Sequence, residues 1–596
     1  MALTARWWIP VLLSVLALVP APALAGGSPE VQLCLQHLKP AEKERAVKVL
    51  GTLEDLPLYR VQLEVDPAKR EVKGKVQVEV RAKARKISEV YLRMTPNAAT
   101  GRAVTLSEPK VDGKPVEMDR PEPTLIRLPV DPPLEPGAMA TVEVALQAKV
   151  PAAKKNVGSL LGALGSSGPP GDYGAFSATP EFVSLVGIVP FMPPMNSDGT
   201  PWAGPSGIGD LALYEPSHVL ATVSVPSGWD VHATGMAMGE VPEKSGLRRY
   251  SYAAALVRDF PVFVSKGYEV ATKTVDGVTV ESFYAKRNAA VGKRVLQYTA
   301  SALEVFEKKL GALPYKTFRV VEAPLSDGAG GMEFQGLITI GTSLYRGVTD
   351  PNSIFEGVPG MEMLQGMMQQ MGAAQGGGLA GDASPFGNIG KTLERTLEFT
   401  VAHEVGHQYF AGLVGTDPIK DPVADEALTQ YASVLYFEWA HGKAAGDALR
   451  QETLVSSYHL YRMSGGEDGP AHRPTETFSN SMEYGAIVYG KAPLMFHAAR
   501  KLVGDETFNR ALRSYVDTYR YKWACADCFR KELAKASPSS AGALERIQKR
   551  WWEEAKGDED LGAPTLESLM GGMGDMKLDA ETQKLLEEML GPMMQQ

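Results

Sequence analysis

Alternation of apolar and polar positions dominates the first part of the chain. Tyr59, Val61, Leu63 and Val65 alternate with polar residues, and Val76, Val78, Val80 and then Val142, Val144, Leu146 repeat the pattern. Successive side chains of a strand point to opposite faces, so this period predicts strands with one buried face. His218–Val225 and the run reaching Val264 and Tyr268 read the same way, while Asp112-Gly113 and Pro226-Ser227-Gly228 read as turns. Residues 30–265 are therefore predicted to form a β-rich domain, an antiparallel saddle or sandwich. Residues 151–212 interrupt the rhythm, rich first in Gly, Pro and Ser and then apolar over Phe182–Met195. They read either as a surface loop with an apolar patch or as a loop reaching into a cleft.

From residue 266 the period lengthens. Asp276-Gly277 between two apolar runs predicts a hairpin. Val295, Tyr298, Ala302, Val305 and Phe306 recur at helical spacing, predicting a helix over 288–310 that Gly311 and Pro314 close. Short strands are predicted at Phe318–Val321 and Leu337–Ile340, the second led in by the glycines of residues 328–331. Helices follow at Thr392–Phe410, Asp425–Ala440 and Phe508–Trp523, with another around Leu544, Ile547 and Trp551. The fold class is thus α+β and multidomain, a β-rich half followed by a mainly helical domain over 266–556.

Two segments fit neither pattern. Residues 346–390 are rich in methionine and glycine, and residues 557–596 form a Met-rich tail with one amphipathic stretch, Ala580–Leu590. Their composition reads as a flexible insertion and a flexible tail. Soft thioethers also suit Cu(I) or a pliable apolar contact with a partner protein.

Charge and cysteine content narrow the function classes. The net charge of −9 over 596 residues argues against a general nucleic-acid or anionic-membrane binder, which needs a basic face. Three cysteines make no disulfide scaffold; Cys525 and Cys528 read as a local disulfide or two unpaired thiols, with Cys34 left over. Arg6, the apolar Trp7–Val19 and Ala23-Leu24-Ala25 form an export-signal pattern over residues 1–25. The mature protein is expected outside the cytoplasm, periplasmic or secreted, after cleavage near Ala25. No later run resembles a membrane span.

The candidate chemistry lies in His403, Glu404 and His407, an H-E-x-x-H pattern inside a predicted helix. Positions i and i+4 share one helix face, so both imidazoles can reach one metal ion, and Glu404 beside them can take a proton from water. Glu426, at the start of the next predicted helix and eighteen residues beyond His407, supplies a carboxylate that can face the two histidines. Glu333, read from the residues alone, is either solvated after a glycine turn or a carboxylate at the end of a peptide paired on an edge strand.

These residues resemble the gluzincin zinc aminopeptidases, the family of aminopeptidase N and the leukotriene-hydrolysing bifunctional enzyme. His403, Glu404, His407 and Glu426 match its H-E-x-x-H, eighteen residues, Glu pattern position by position, and HQYFAGLVG resembles its H-Q-W-F-G-N-L-V. Gly330–Phe334 looks like the family's G-x-M-E-N motif, and Tyr489–Phe496 resembles its Y-x-K-G segment. The resemblance implies a thermolysin-like catalytic domain with one Zn²⁺ per chain held by His403, His407 and Glu426, and Glu404 as general base. It further implies Tyr489 as oxyanion donor, with Tyr484 its alternative. Glu333 would bind the substrate's free α-amine, and the Gly330, Gly331, Met332 backbone would pair with the peptide. Glu181, nine residues before Pro190, is the candidate for the family's second amine ligand. The sequence departs from the family at Phe334, where the family has Asn, and at Asp425–Thr429, D-E-A-L-T for N-E-G-F-A. The expected substrate is a peptide with a free N-terminus. Two alternatives stay open: an endopeptidase or specialised hydrolase with the same zinc site, and an exported metal-binding or scaffold protein using the Met-rich segments.

Overall fold

The computed structural model describes residues 28–562 apart from 155–171, 206, 212, 244–245, 351–352 and 354–386. The export-signal pattern, the Met-rich insertion and the Met-rich tail lie outside the described residues, except for their borders.

The alternating segments pair as strands. One eight-stranded sheet runs in the spatial order 236–242, 247–257, 217–226, 58–66, 71–81, 139–149, 104–111, 114–115. Its neighbours are antiparallel except for Leu58–Asp66 and Ser217–Pro226, which run parallel. Register places Val61 opposite Val76, and Val76 opposite Val144, so the apolar alternation of three strands shares one buried face. A four-stranded sheet and a three-stranded sheet complete this half. The described part of the 151–212 segment is not a surface loop. It contributes strands Phe176–Ala178 and Phe182–Leu185, and Val186, Ile188, Val189 and Phe191 are buried.

The second half opens on a five-stranded sheet ordered 268–275, 278–285, 317–323, 337–341, 331–334. Its three central strands are parallel and both edges antiparallel. Asp276 and Gly277 form the predicted hairpin with φ of 45° and 78°, the left-handed pair a tight two-residue turn requires. Helix Ala289–Leu310 packs on this sheet and ends at Gly311, φ 102°. Mainly helical structure then continues to Leu561.

Two helix ends differ from expectation. The helix predicted over Thr392–Phe410 spans Gly387–Gly406. His407 lies one residue past its end, yet its N–H still donates to the His403 carbonyl at 3.1 Å, which keeps the i, i+4 geometry. The helix predicted over Phe508–Trp523 runs from Asp505 to Tyr519. Tyr521 adopts φ 63°, and residues 521–524 instead pair with Leu413 and Gly415. Cys525 and Cys528 are disulfide-bonded, and Cys34 is buried and free. No helix among the described residues is long and apolar enough to cross a membrane.

Candidate metal centre and substrate cleft

Two helices bring the candidate ligands together. The Gly387–Gly406 helix carries His403, and the turn just past it presents His407. Helix Glu426–His441 begins at Glu426, capped by Asp425, whose carboxylate accepts from the Glu426 N–H at 2.8 Å and from Thr416 Oγ1 at 2.9 Å. The three ligand atoms form a small triangle. His403 Nε2 is 3.0 Å from His407 Nε2, and the Glu426 Oε2 atom is 3.2 Å from the first and 3.3 Å from the second. Zinc bonds of about 2.0–2.1 Å place tetrahedral ligand atoms about 3.3 Å apart, so the donor set and its spacing fit zinc. The His407 Nδ1–H donates to the Phe410 carbonyl at 2.9 Å, which leaves Nε2 with its lone pair facing the other two ligands.

All three ligands are buried, and the cluster's charges interact strongly. Burial and the surrounding carboxylates act on His407, whose pKa is raised well above the usual range by Glu333 and Glu426. Glu426 is held low by the two imidazoles against the effect of burial. Glu404 is raised well above an ordinary glutamate, first by burial and then by Glu333. Its Oε2 is buried and has no hydrogen-bond partner, as expected of a base whose partner is a substrate or water.

The edge strand Gly331–Phe334 lies against this helix. A Cβ at Gly331 would come within 2.6 Å of Glu404 Cγ and Cδ, so glycine is what allows strand and base to meet. Gln408 fixes the strand's far end: its Nε2 donates to the Phe334 carbonyl and its Oε1 accepts from the Gly336 N–H, both at 2.9 Å. Glu333 projects from this strand into a cleft of about 530 Å³ that His403, Glu404, Glu426, Tyr484 and Tyr489 also line. Burial raises the Glu333 pKa, partly offset by His407. Tyr489 donates its hydroxyl to Glu426 Oε1. Tyr484 is 3% exposed and its hydroxyl has no partner.

Sequence reasoning misplaced one residue and missed two. Glu181 is not in the cleft. It is exposed and forms an ion pair with Arg287 at 2.9 Å, because it sits in the exposed turn joining strands Phe176–Ala178 and Phe182–Leu185. The 151–212 segment nevertheless reaches the cleft, through Tyr173, Gly187, Gly209 and Asp210. Asp210 lies against Glu426 and is raised well above the usual aspartate range, first by burial and then by Glu333 and Glu426. Asp259, just after strand Leu247–Val257, faces the cleft too and is raised by burial and Glu333. Neither aspartate belongs to a periodic pattern or a spaced motif, so the sequence carried no signal for them.

Comparison with known proteins agrees with this geometry. Residues 387–551 match the Peptidase family M1 domain. A "Probable aminopeptidase 2" of Sulfurisphaera tokodaii is 29% identical over 147 residues, 23% of this chain and 18% of that protein. An "Aminopeptidase N" of Lactobacillus delbrueckii subsp. lactis is 26% identical over 164 residues, 26% of this chain and 18% of that protein. The match thus spans less than a fifth of these relatives' length. Among solved structures, the M1 zinc metallopeptidase of Deinococcus radiodurans superposes with a TM-score of 0.57 at 18% identity, covering 84% of this chain and 94% of that one. A mutant form bound to a Tyr-Ser-Ala substrate gives 0.55 at 16% identity with the same coverage. This chain has the fold of the M1-family zinc metallopeptidases, and His403, His407 and Glu426 form a buried cluster able to hold a metal ion.

Proposed function

We propose that this protein is a zinc aminopeptidase that releases N-terminal residues from peptides. The observation that carries the reading is the placement of Glu333: a carboxylate on an edge strand, in the same cleft as the triad and Glu404, at the end where a peptide paired on that strand would terminate. His403, His407 and Glu426 would hold one zinc ion per chain, which would supply Lewis acidity and make water at the site easier to deprotonate.

The chain's own groups do the rest. The Gly330–Met332 backbone, on the free edge of its sheet, pairs with the substrate in strand fashion. Glu333 accepts hydrogen bonds from the α-ammonium and so fixes how far the peptide can enter. Glu404, buried and without a competing partner, takes the proton of the attacking water and delivers it to the leaving amine. Tyr489 turns its hydroxyl from Glu426 toward the oxygen that gains charge, a contribution of about 3–4 kcal/mol for one such donor. Export with cleavage after Ala25 belongs to the same proposal, and N-terminal sequencing of the mature protein tests it.

The decisive pair of variants is Glu404→Gln and Glu333→Ala. The first should keep its zinc and lose kcat by about a hundredfold or more; turnover near wild type would sink the mechanism. The second should weaken cleavage of free-amine substrates more than of N-blocked ones. Equal loss on both identifies an endopeptidase instead. Copper without zinc in the purified protein would favour a metal-binding or scaffold role over the enzyme.

A further inference from the structure

Six carboxyl side chains face the cleft, and among the described residues no lysine or arginine does. Five of them are already engaged. Glu404, Glu426 and Glu333 belong to the machinery above, Asp210 rests on Glu426, and Asp327 is paired with Lys154 at 2.7 Å. Asp259 is left over. Its Oδ1 is sealed from solvent and has no hydrogen-bond partner. The neighbouring Arg258 turns away, giving its guanidinium to the carbonyls of Gly412, Tyr214 and Lys522. The Arg258 N–H donates to Gln335 Oε1 at 2.8 Å, which pins Asp259 beside the strand bearing Glu333.

Glu333 responds to His407 and Glu426, whereas Asp259 responds to Glu333 and to none of the metal ligands. Asp259 shares the cleft with Glu333, and Leu213 and Tyr214 line it too. A second unpartnered group, the hydroxyl of the 3% exposed Tyr484, faces the same cleft beside Gly209.

We propose that Asp259 determines specificity at the subsite for the substrate's first side chain, and that the cleft takes peptides beginning with arginine or lysine. This rests on the aminopeptidase reading, which places the α-amine at Glu333. The aliphatic stem of either residue packs on Leu213 and Tyr214, and its cationic end meets the Asp259 carboxylate where that side chain lines the cleft. A buried carboxylate is costly until a cation meets it, and a chargeless side chain leaves Asp259 to hold its own proton.

The test uses the zinc-loaded full chain and three arylamides, of arginine, its neutral isostere citrulline, and leucine. In wild type, kcat/KM for arginine should exceed that for citrulline by about tenfold or more, and Asp259→Asn should bring the two within about threefold. Asp259→Glu should recover part of the discrimination. Equal rates for arginine and citrulline in wild type overturn the proposal without any variant, as does an unchanged ratio in folded Asp259→Asn. If leucine is released well and arginine is not, this specificity fails while the aminopeptidase reading stands. If N-blocked peptides are cut and none of the three arylamides is, both fall together.

Discussion

At Gly331 a side chain would enter space that the Glu404 carboxylate occupies. Gly331→Ala should therefore displace the base while leaving the triad alone. Kinetics and zinc analysis on one preparation should show kcat lowered by about a hundredfold with metal content unchanged, since a misplacement near 1 Å can cost that much. Tyr489→Phe should lower kcat by about 10²–10³ with little change in KM, which steady-state kinetics will show. Two buried histidines outside the cleft lining bear on stability in acid. Burial lowers His37 and His232 to about 3, and both are held neutral in the fold. Between that value and the unfolded 6.5 the unfolded chain binds protons the folded one does not, so stability falls as pH falls. Each histidine should cost about 2 kcal/mol between pH 7 and pH 5; His232→Asn should flatten the slope of denaturation midpoint against pH. At this scale the triad, Glu404 and Glu333 were legible because they lie in motifs of fixed spacing. Asp210 and Asp259 were not, because an aspartate in a connection has no period to betray it.

Among elements, the packing of helix Ala289–Leu310 on strand Val278–Ala285 depends on Gly292. A Cβ there would come within 2.7 Å of the Tyr284 ring, with ring atoms nearer still. Gly292→Ala should cost about 1–3 kcal/mol by overpacking, despite alanine's better helix propensity, and urea unfolding measures it. The period-2 and period-3.6 patterns located long elements such as strands Leu58–Asp66 and Met139–Lys149 and helices Ala289–Leu310 and Glu426–His441, since each needs one buried face; the shorter ones left no such trace. The ends were less legible. The helix carrying His403 gives way near Gln408, whose side chain bonds strand Gly331–Phe334 and Gly336. The helix before Tyr519 stops because residues 521–524 find partners around Gly415. Such ends are set by tertiary hydrogen bonds that local sequence does not record.

For the whole molecule, long-range polar ties join what the sequence keeps far apart. Glu42, in helix Pro40–Leu50, accepts from Arg520 at 3.0 Å and from the Tyr521 hydroxyl at 3.1 Å, with both charged side chains almost fully buried. Glu42→Ala leaves a buried guanidinium without its counter-charge and should cost about 3–5 kcal/mol, read by denaturant titration. Arg258 plays a similar part, tying residues 214, 412 and 522 through three carbonyls.

The cleft draws its walls from both halves, Tyr173, Gly209 and Asp210 from the first and Glu333, Glu404, Glu426 and Tyr489 from the second. A chain leaving the ribosome exposes the first wall long before the last one is made. Until residue 489 emerges and docks, there is no enclosed place for a peptide to lie. On the proposed function, catalytic competence thus arrives only with the finished fold.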